Sequence, residues 1–297
     1  MKKSGVRISR SDSAFAAIVY LLAAISIIII IYPLYFIIIA SVSEPSAVSN
    51  GKVWLFPHGF TTDGYKALLQ YSAIWLGYRN TIFYAAAGTA WALAVNIPAA
   101  YALSRKDLPF RMPLNFYYLF VMFFSGGLIP TYLVVKDLGL FDTWLVMIVP
   151  FSVSIYNVIV ARTFFSTSIP ADLLDAAQID GCGNLRFFFS IVLPLSKAII
   201  SVLALWTAVG IWNSYFNALI YLQDKAKMPM QIILRNILIT NQMTSAMGTG
   251  EAAQVALRQA NLIRYAAIIA STAPIMCFYP FVQKHFNQGV MIGAVKG

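Results

Sequence analysis

From Ala14 to Val42 the chain carries no charged residue. A helix needs only about 20 apolar residues to cross the roughly 30 Å hydrocarbon core of a bilayer, so this run is long enough to span with residues to spare. Behind Lys2, Lys3, Arg7 and Arg10 it could pass for a secretory leader, but it far exceeds the ~7–15 apolar residues such leaders use and reads as a retained helix. Composition points the same way. Only 11% of the 297 residues are charged, where a soluble domain needs about 25% to cover its surface. The solvent this chain is built for is lipid.

Six stretches approach spanning length, at about 14–42, 81–103, 113–135, 144–165, 198–222 and 265–282. The third contains Gly126, Gly127 and Pro130, which predict a break near its middle. The expectation is an all-α integral membrane protein with about six transmembrane helices, residues 14–297, behind a short amino-terminal segment, 1–13. Two connecting segments are long. One lies between the first two runs; the other, about Gln223 to Arg264, holds a polar patch at Asn241–Gly250 and a helix-like stretch at Glu251–Leu262. Loops of that length are usually functional.

The formal net charge of +10 raises nucleic acid as a partner, but the basic residues are dispersed between apolar runs and form no stripe interleaved with aromatics. They read as topology signals and lipid headgroup contacts. With the amino terminus in the cytoplasm, twelve of the 21 Lys+Arg fall in the cytoplasmic segments or flank the spans, as the positive-inside rule requires. Both termini are then cytoplasmic. Cys182 and Cys277 are far apart in dissimilar surroundings and His58 and His285 are isolated, so neither a disulfide framework nor a metal site is indicated.

Between the fourth and fifth runs lies SIPADLLDAAQIDGCGNLRFFFSIVLPLSKAII, too polar to span and too patterned for a plain loop. Ser168 is a candidate cap and Pro170 a candidate first-turn residue. Ala171 to Ile179 has helical composition, Gly181 and Gly183 end it, and a second short helix covers Leu185 to Ile191. Small residues on one side allow close approach, so this helix-turn-helix is shaped to be held by another protein.

Within it Asp175, Ala176, Ala177, Gly181, Ile191, Leu193 and Pro194 form the string D-A-A-x-x-x-G-x₉-I-x-L-P, which resembles the EAA motif of ABC-importer membrane subunits. Asp175 stands where that motif usually has Glu, keeping the charge and shortening the reach. The six-run layout and the ending FVQKHFNQGVMIGAVKG are similar to carbohydrate-importer permeases. With the opening KKSGVRISRSDSAFAAIVY, that ending looks closest to the subgroup handling complex oligosaccharides, such as plant or algal polysaccharide fragments.

The resemblance implies a permease of the bacterial inner membrane that forms half of a translocation pathway. Residues 168–195 would be the cytoplasmic coupling region, with Asp175, Ala176, Ala177 and Gly181 as its docking surface on an ATPase. It also implies partners: a second homologous permease, two cytoplasmic ABC ATPases and a periplasmic or lipid-anchored solute-binding protein that delivers the oligosaccharide. The chain has no G-x-x-x-x-G-K-[ST] phosphate loop, so ATP and Mg are expected on the separate ATPase and no cofactor in this chain.

Polar and aromatic residues inside the runs are the candidates for the solute pathway: Asn213, Tyr215, Asn217 and Trp212 with Trp206 in the fifth, Asn157 and Tyr156 in the fourth, and Asn96 in the second. Amides suit sugar hydroxyls and aromatic faces suit the apolar side of a sugar ring. Polar residues in membranes also hydrogen-bond between helices, and the sequence leaves both uses open. Other classes fit less well. An importer for a non-sugar solute would share the coupling string. An ion-coupled secondary transporter would usually place carboxylates or histidines at mid-membrane, and leaves residues 175–194 without a role. A membrane enzyme would want clustered carboxylates, and only Asp172, Asp175 and Asp180 come close together, on the docking helix.

Overall fold

The structure, a computed structural model, describes residues 10–247 and 261–277, which are helical with no strand among them. In chain order the helices are α1 (Arg10–Ser41), α2 (Pro45–Ser49), α3 (Asp63–Gln70), α4 (Ser72–Ser104), α5 (Arg111–Phe123), α6 (Leu128–Asp137), α7 (Ile155–Ser168) and α8 (Ala171–Ile179). There follow α9 (Asn184–Leu195), α10 (Lys197–Trp212), α11 (Phe216–Tyr221), α12 (Met230–Met247) and α13 (Asn261–Cys277). Two of the described helices, Ala14–Ser41 and Ser72–Ser104, are long and apolar enough to cross a membrane singly, and two bent pairs, α5 with α6 and α9 with α10, reach that length together.

The chain divides into two compact units, Met1–Gln70 with Ile237–Ala270 and Tyr71–Asn236 with Ser271–Gly297. In the first, α1 is almost wholly exposed from Ala14 to Tyr35, then becomes buried at Ile39, Ala40 and Ser41. There Ile39 packs with Ala47 and Val53 in a small core, and Ser41 Oγ lies 2.8 Å from Tyr65 Oη.

The second unit is organised around α4. Asn80, Tyr84, Gly88, Ala92, Asn96 and Ala100, every fourth residue, are all buried, and residues four apart share one helix face. Small residues along that stripe let α7 and α10 approach. A side chain at Gly88 would place its Cβ 2.6 Å from Ile211 Cδ1, closer than packing allows. Toward Ser104, Ile97, Ala100 and Leu103 join Val158, Phe165, Phe187, Phe188 and Val192 in one core. Toward Ser72, Tyr84 joins Val135, Val146, Ile211, Tyr221 and Ile232 in another.

Several helix bounds depart from the sequence reading. The second run was bounded at Thr81 by Arg79 and Asn80, yet α4 begins at Ser72. Asn80 is tolerated inside it because its Nδ2 donates to Ala226 O at 2.8 Å and Met228 O at 2.9 Å. The third breaks as predicted, its halves meeting at 113°. The fourth is not one helix. A 3-10 turn at Trp144–Met147 gives way near Pro150, which removes a donor and obstructs a helical course, and α7 restarts with Ser154 capping the Asn157 amide. The fifth stops at Trp212 and resumes as α11. The segment read as a long loop from Gln223 contains α12. The sixth is already helical at Asn261, the first residue described after Met247. Residues 1–9, Gly248–Ala260 and the ending from Phe278 lie outside the described residues, and with them most of Glu251–Leu262 and His285.

The Ser72 end of α4 is tied down by a polar knot. Asp142, at a left-handed φ of 53°, accepts the Gln223 and Asp224 amides on Oδ1 at 3.0 and 3.1 Å and pairs with Lys227 at 3.5 Å. Lys227 O accepts the Tyr84 hydroxyl at 2.9 Å, and Thr81 Oγ1 accepts the Met230 amide at 2.8 Å. The amides of Asp224 and Gln223, with Lys227 adding a charge, hold the Asp142 carboxyl below its ordinary value. A depressed carboxyl stabilises the fold fully above its unfolded pKa of about 3.9 and loses that contribution as pH falls through the folded value. Thermal unfolding in detergent should therefore show the native chain losing stability below that range more steeply than Asp142→Asn, which starts less stable at neutral pH. Asn80→Ala leaves two carbonyls unpaired in a buried site and should cost about 1–3 kcal/mol at any pH.

Candidate functional site

The segment 168–195 folds as two helices joined by a tight turn. Ser168 does not cap α8; it is the last residue of α7, and Pro170 occupies the cap position instead. The turn is a complete Schellman motif. Gly181 sits at φ 73°, its amide donates to Gln178 O at 3.0 Å, and the Cys182 amide donates to Ala177 O at 2.8 Å. Cys182 then packs against the same core as Ala177. The second helix runs from Asn184 to Leu195, longer than Leu185–Ile191, because a π turn at Phe188–Val192 carries it on to Pro194. Beyond it the chain bends by 79° into α10.

The motif residues separate into two faces. Asp175, Ala176 and Gly181 are exposed. Ala177 is buried among Phe187, Phe188 and Val192, so its small size serves the chain's own packing. Ile191 and Leu193 are half-buried against that core and Pro194 is exposed. Sequence reasoning missed the rest of the outer face: Ile179, Leu185 and Phe189 are 86%, 76% and 62% exposed, the signature of an apolar surface awaiting a partner. Among the described residues the side chains of Asp172, Asp175 and Asp180 make no ion pair. The outer face is thus acidic and apolar together.

Arg105 fixes this element to the end of α4, a role its sequence position did not announce. Its Nη1 donates to Asn184 Oδ1 at 2.8 Å and to Tyr101 Oη at 3.2 Å, and its Nε donates to Asp107 at 2.8 Å. The Arg105 hydrogen bond holds the Asp107 carboxyl below its ordinary value. Tyr101 stacks near Phe188 at 5.2 Å and Phe165 at 5.9 Å. The start of α9 therefore moves only with α4.

The predicted pathway residues divide as well. Asn157 is buried and donates to Thr207 Oγ1 at 3.3 Å, a bond between α7 and α10. Trp212 is buried and its Nε1 donates to Ser271 O at 3.0 Å. Asn96 is buried with Oδ1 unpartnered among the described residues. Asn213 is exposed and bonds Val209 O in its own helix at 3.0 Å. Tyr156 and Trp206, with ring centroids 6.1 Å apart, and Tyr215 are exposed, and Asn217 is half-buried. A pocket of about 510 Å³ in the smaller unit, lined by Ser41, Thr61, Asn261 and Arg264, contains none of them.

Comparison with known proteins places this geometry. The family model described as binding-protein-dependent transport system inner membrane component matches residues 5–292. Protein LplC of Bacillus subtilis (strain 168) is 40% identical over 269 residues, covering 91% of this chain and 90% of LplC. The polygalacturonan/rhamnogalacturonan transport system permease protein YtcP of the same organism is 38% identical over 287 residues, covering 95% of this chain and 98% of YtcP. A chain in the crystal structure of a bacterial ABC transporter involved in the import of the acidic polysaccharide alginate superposes with a TM-score of 0.85 at 32% identity, covering 94% of this chain and 98% of that one.

A Cβ at Gly181 meets nothing within 4 Å, so substitution there tests backbone strain alone. Gly181→Ala should destabilise the α8 end by about 1 kcal/mol and Gly181→Asn by less, since Asn tolerates the left-handed region. Ala177→Leu should cost more, about 1–3 kcal/mol, by overpacking. Hydrogen exchange of the α8 amides would rank the three.

Proposed function

We infer, from the premise that this chain belongs to the binding-protein-dependent transport system inner membrane components, that it forms half of the import pathway for an oligosaccharide and is coupled to ATP through residues 168–195. It is a transport subunit of an ABC importer and not an enzyme. The single observation that carries the coupling is the α8–α9 pair: a short helix closed by a Schellman turn, with the start of α9 fastened to Arg105 through Asn184 and Asp175, Ala176, Ile179 and Leu185 turned outward.

In this reading six crossings are made, the bent pairs counting as one each, with α7 and α13 completing the set and both termini in the cytoplasm. The outer face of α8 seats in a cleft on an ABC ATPase that holds ATP and Mg. Closure of two such ATPases moves α8 and α9, and through Arg105 and the Phe188 core moves α4, α7 and α10. This is alternating access driven by a difference in ATP affinity between two states. A second homologous permease completes the pathway, and a solute-binding protein loads it. The substrate class is supported by the polygalacturonan/rhamnogalacturonan named for YtcP, by the acidic polysaccharide alginate named for the solved transporter, and by the exposed Tyr156, Trp206, Tyr215 and Asn213 of the pathway set.

The test is ATPase activity of the purified complex in lipid with binding protein and candidate oligosaccharides, native chain against Gly181→Trp, with assembly checked by gel filtration. Stimulation by sugar and binding protein in the native complex, and its loss in an assembled variant, is the expected result. A native chain that neither retains an ATPase nor alters its turnover overturns the coupling reading.

A further inference from the structure

Arg162 is the one cation of α7, and it has no counterion among the described residues. It is half-buried. Its Nη1 donates to Asn115 Oδ1 on α5, while Nε is buried with no partner and Nη2 makes no hydrogen bond among the described residues. No described carboxylate lies within ion-pair distance. A buried donor of a guanidinium left unpaired is costly, since the charge has lost water and gained no acceptor.

The surroundings add positive charge. Asn115 Nδ2 donates to Arg111 O at 2.8 Å, which joins the root of a second arginine to the same amide. Arg111 turns Nε toward Leu103 O at 3.4 Å and has no ion pair among the described residues. The nearby carboxylate in sequence, Asp107, is already held by Arg105. One guanidinium, that of Arg162, thus meets Asn115, and Arg111, one helical turn earlier on α5, adds a second cation without an ion pair among the described residues.

The neighbouring surface says what kind of anion fits. α5 buries none of its residues, and Phe116, Tyr117 and Phe120 beside Asn115 are 71%, 62% and 52% exposed, the face of a helix that meets acyl chains. Arg162 lies about 9 Å short of the Ser168 end of α7 and Asn115 about 6 Å past the Arg111 start of α5 at 1.5 Å per residue. Both sit just inside the helix ends, which the orientation proposed above puts near the headgroups. Arginine matches phosphate oxygens with a planar fork of donors.

We propose that Arg162, oriented by Asn115 and assisted by Arg111, binds a phosphate group at the edge of α5 and α7, supplied by an anionic lipid headgroup. The inference rests on the orientation given above only for its leaflet, the cytoplasmic one; lipid retention itself does not depend on which side α8 faces.

The experiment takes the full-length chain with its partner subunits in nanodiscs of phosphatidylcholine, with or without phosphatidylglycerol, and counts bound lipids by native mass spectrometry. Native protein should retain phosphatidylglycerol over phosphatidylcholine, and Arg162→Gln should weaken that retention on the order of tenfold, the effect of losing charge-assisted hydrogen bonds to phosphate. Lys66→Gln, which removes an exposed cation of α3, should retain it like the native chain. Asn115→Ala keeps the charge but frees the guanidinium, and should fall between them even if Arg162→Gln assembles poorly. Inorganic phosphate titrated into phosphatidylcholine discs separates the sources: thermal protection of the native chain and not of Arg162→Gln makes the ligand a free phosphate, and no protection alongside retained phosphatidylglycerol makes it the headgroup. Equal lipid retention by native and both site variants, with no response to phosphate, overturns the site and directs attention to a carboxylate on a partner subunit.

Discussion

In a bilayer, helices gain little by hiding apolar side chains from one another, because acyl chains are as apolar as leucine. Close packing has to come from shape. On α4 the shape is the every-fourth-residue stripe from Asn80 to Ala100, small in its middle and polar or aromatic toward its ends. Gly88 admits Ile211, Ala92 and Ala100 admit their neighbours without a gap, and α7 and α10 close on the same face. The two cores at either end of α4 then follow, since each is made of side chains that α7, α10 and the connecting segments bring to that stripe. A chain that lost the stripe would have no reason to gather these helices at all.

The same helix sets the mechanics. At its Ser72 end the Asn80, Thr81 and Tyr84 side chains bind backbone groups of residues 226–230, using polar atoms where a lipid-filled gap would leave carbonyls unsatisfied. At its Ser104 end Arg105 grips Asn184, and Tyr101 stacks near Phe188. Between these ties α4 is one 33-residue helix with Pro98 inside it, so the two ends are joined through a single element. The π turn at Phe188–Val192 and the 79° corner before α10 are where the path departs from straight helix, and Ser196 at that corner is buried with its hydroxyl unpartnered among the described residues.

Much of this was legible in the sequence, for physical reasons. Apolar length marks candidate crossings because hydrocarbon thickness is fixed. Gly181 was readable as a turn glycine because a helix that ends in a left-handed residue strongly prefers one, and Gly126, Gly127 and Pro130 announced the break between α5 and α6. Helix bounds were not legible where polar residues are satisfied by distant backbone. Asn80 looked like a boundary and is a buried strut to residues 226 and 228, a pairing no local pattern carries. Pro150 was the available signal against a continuous fourth run, and the apolar residues around it masked it. Arg105 and Arg162 were legible only as part of the dispersed topology and headgroup charges, since sequence cannot single out a basic residue that grips Asn184 or Asn115.

The pathway residues show how structure narrows a composition argument. As a set they offered amides and aromatic rings for a sugar, but two of the most attractive, Asn157 and Trp212, are already bonded to Thr207 and Ser271. Their hydrogen bonds hold elements together, and a solute would have to break them to reach the side chains. Tyr156 and Trp206 behave differently. They come from two separate helices, α7 and α10, whose approach along α4 sets their 6.1 Å spacing, and both remain open. A ring pair that is positioned by the stripe yet unclaimed by the core is what half of a pathway should contribute: faces held rigid on this side, to be completed from the other.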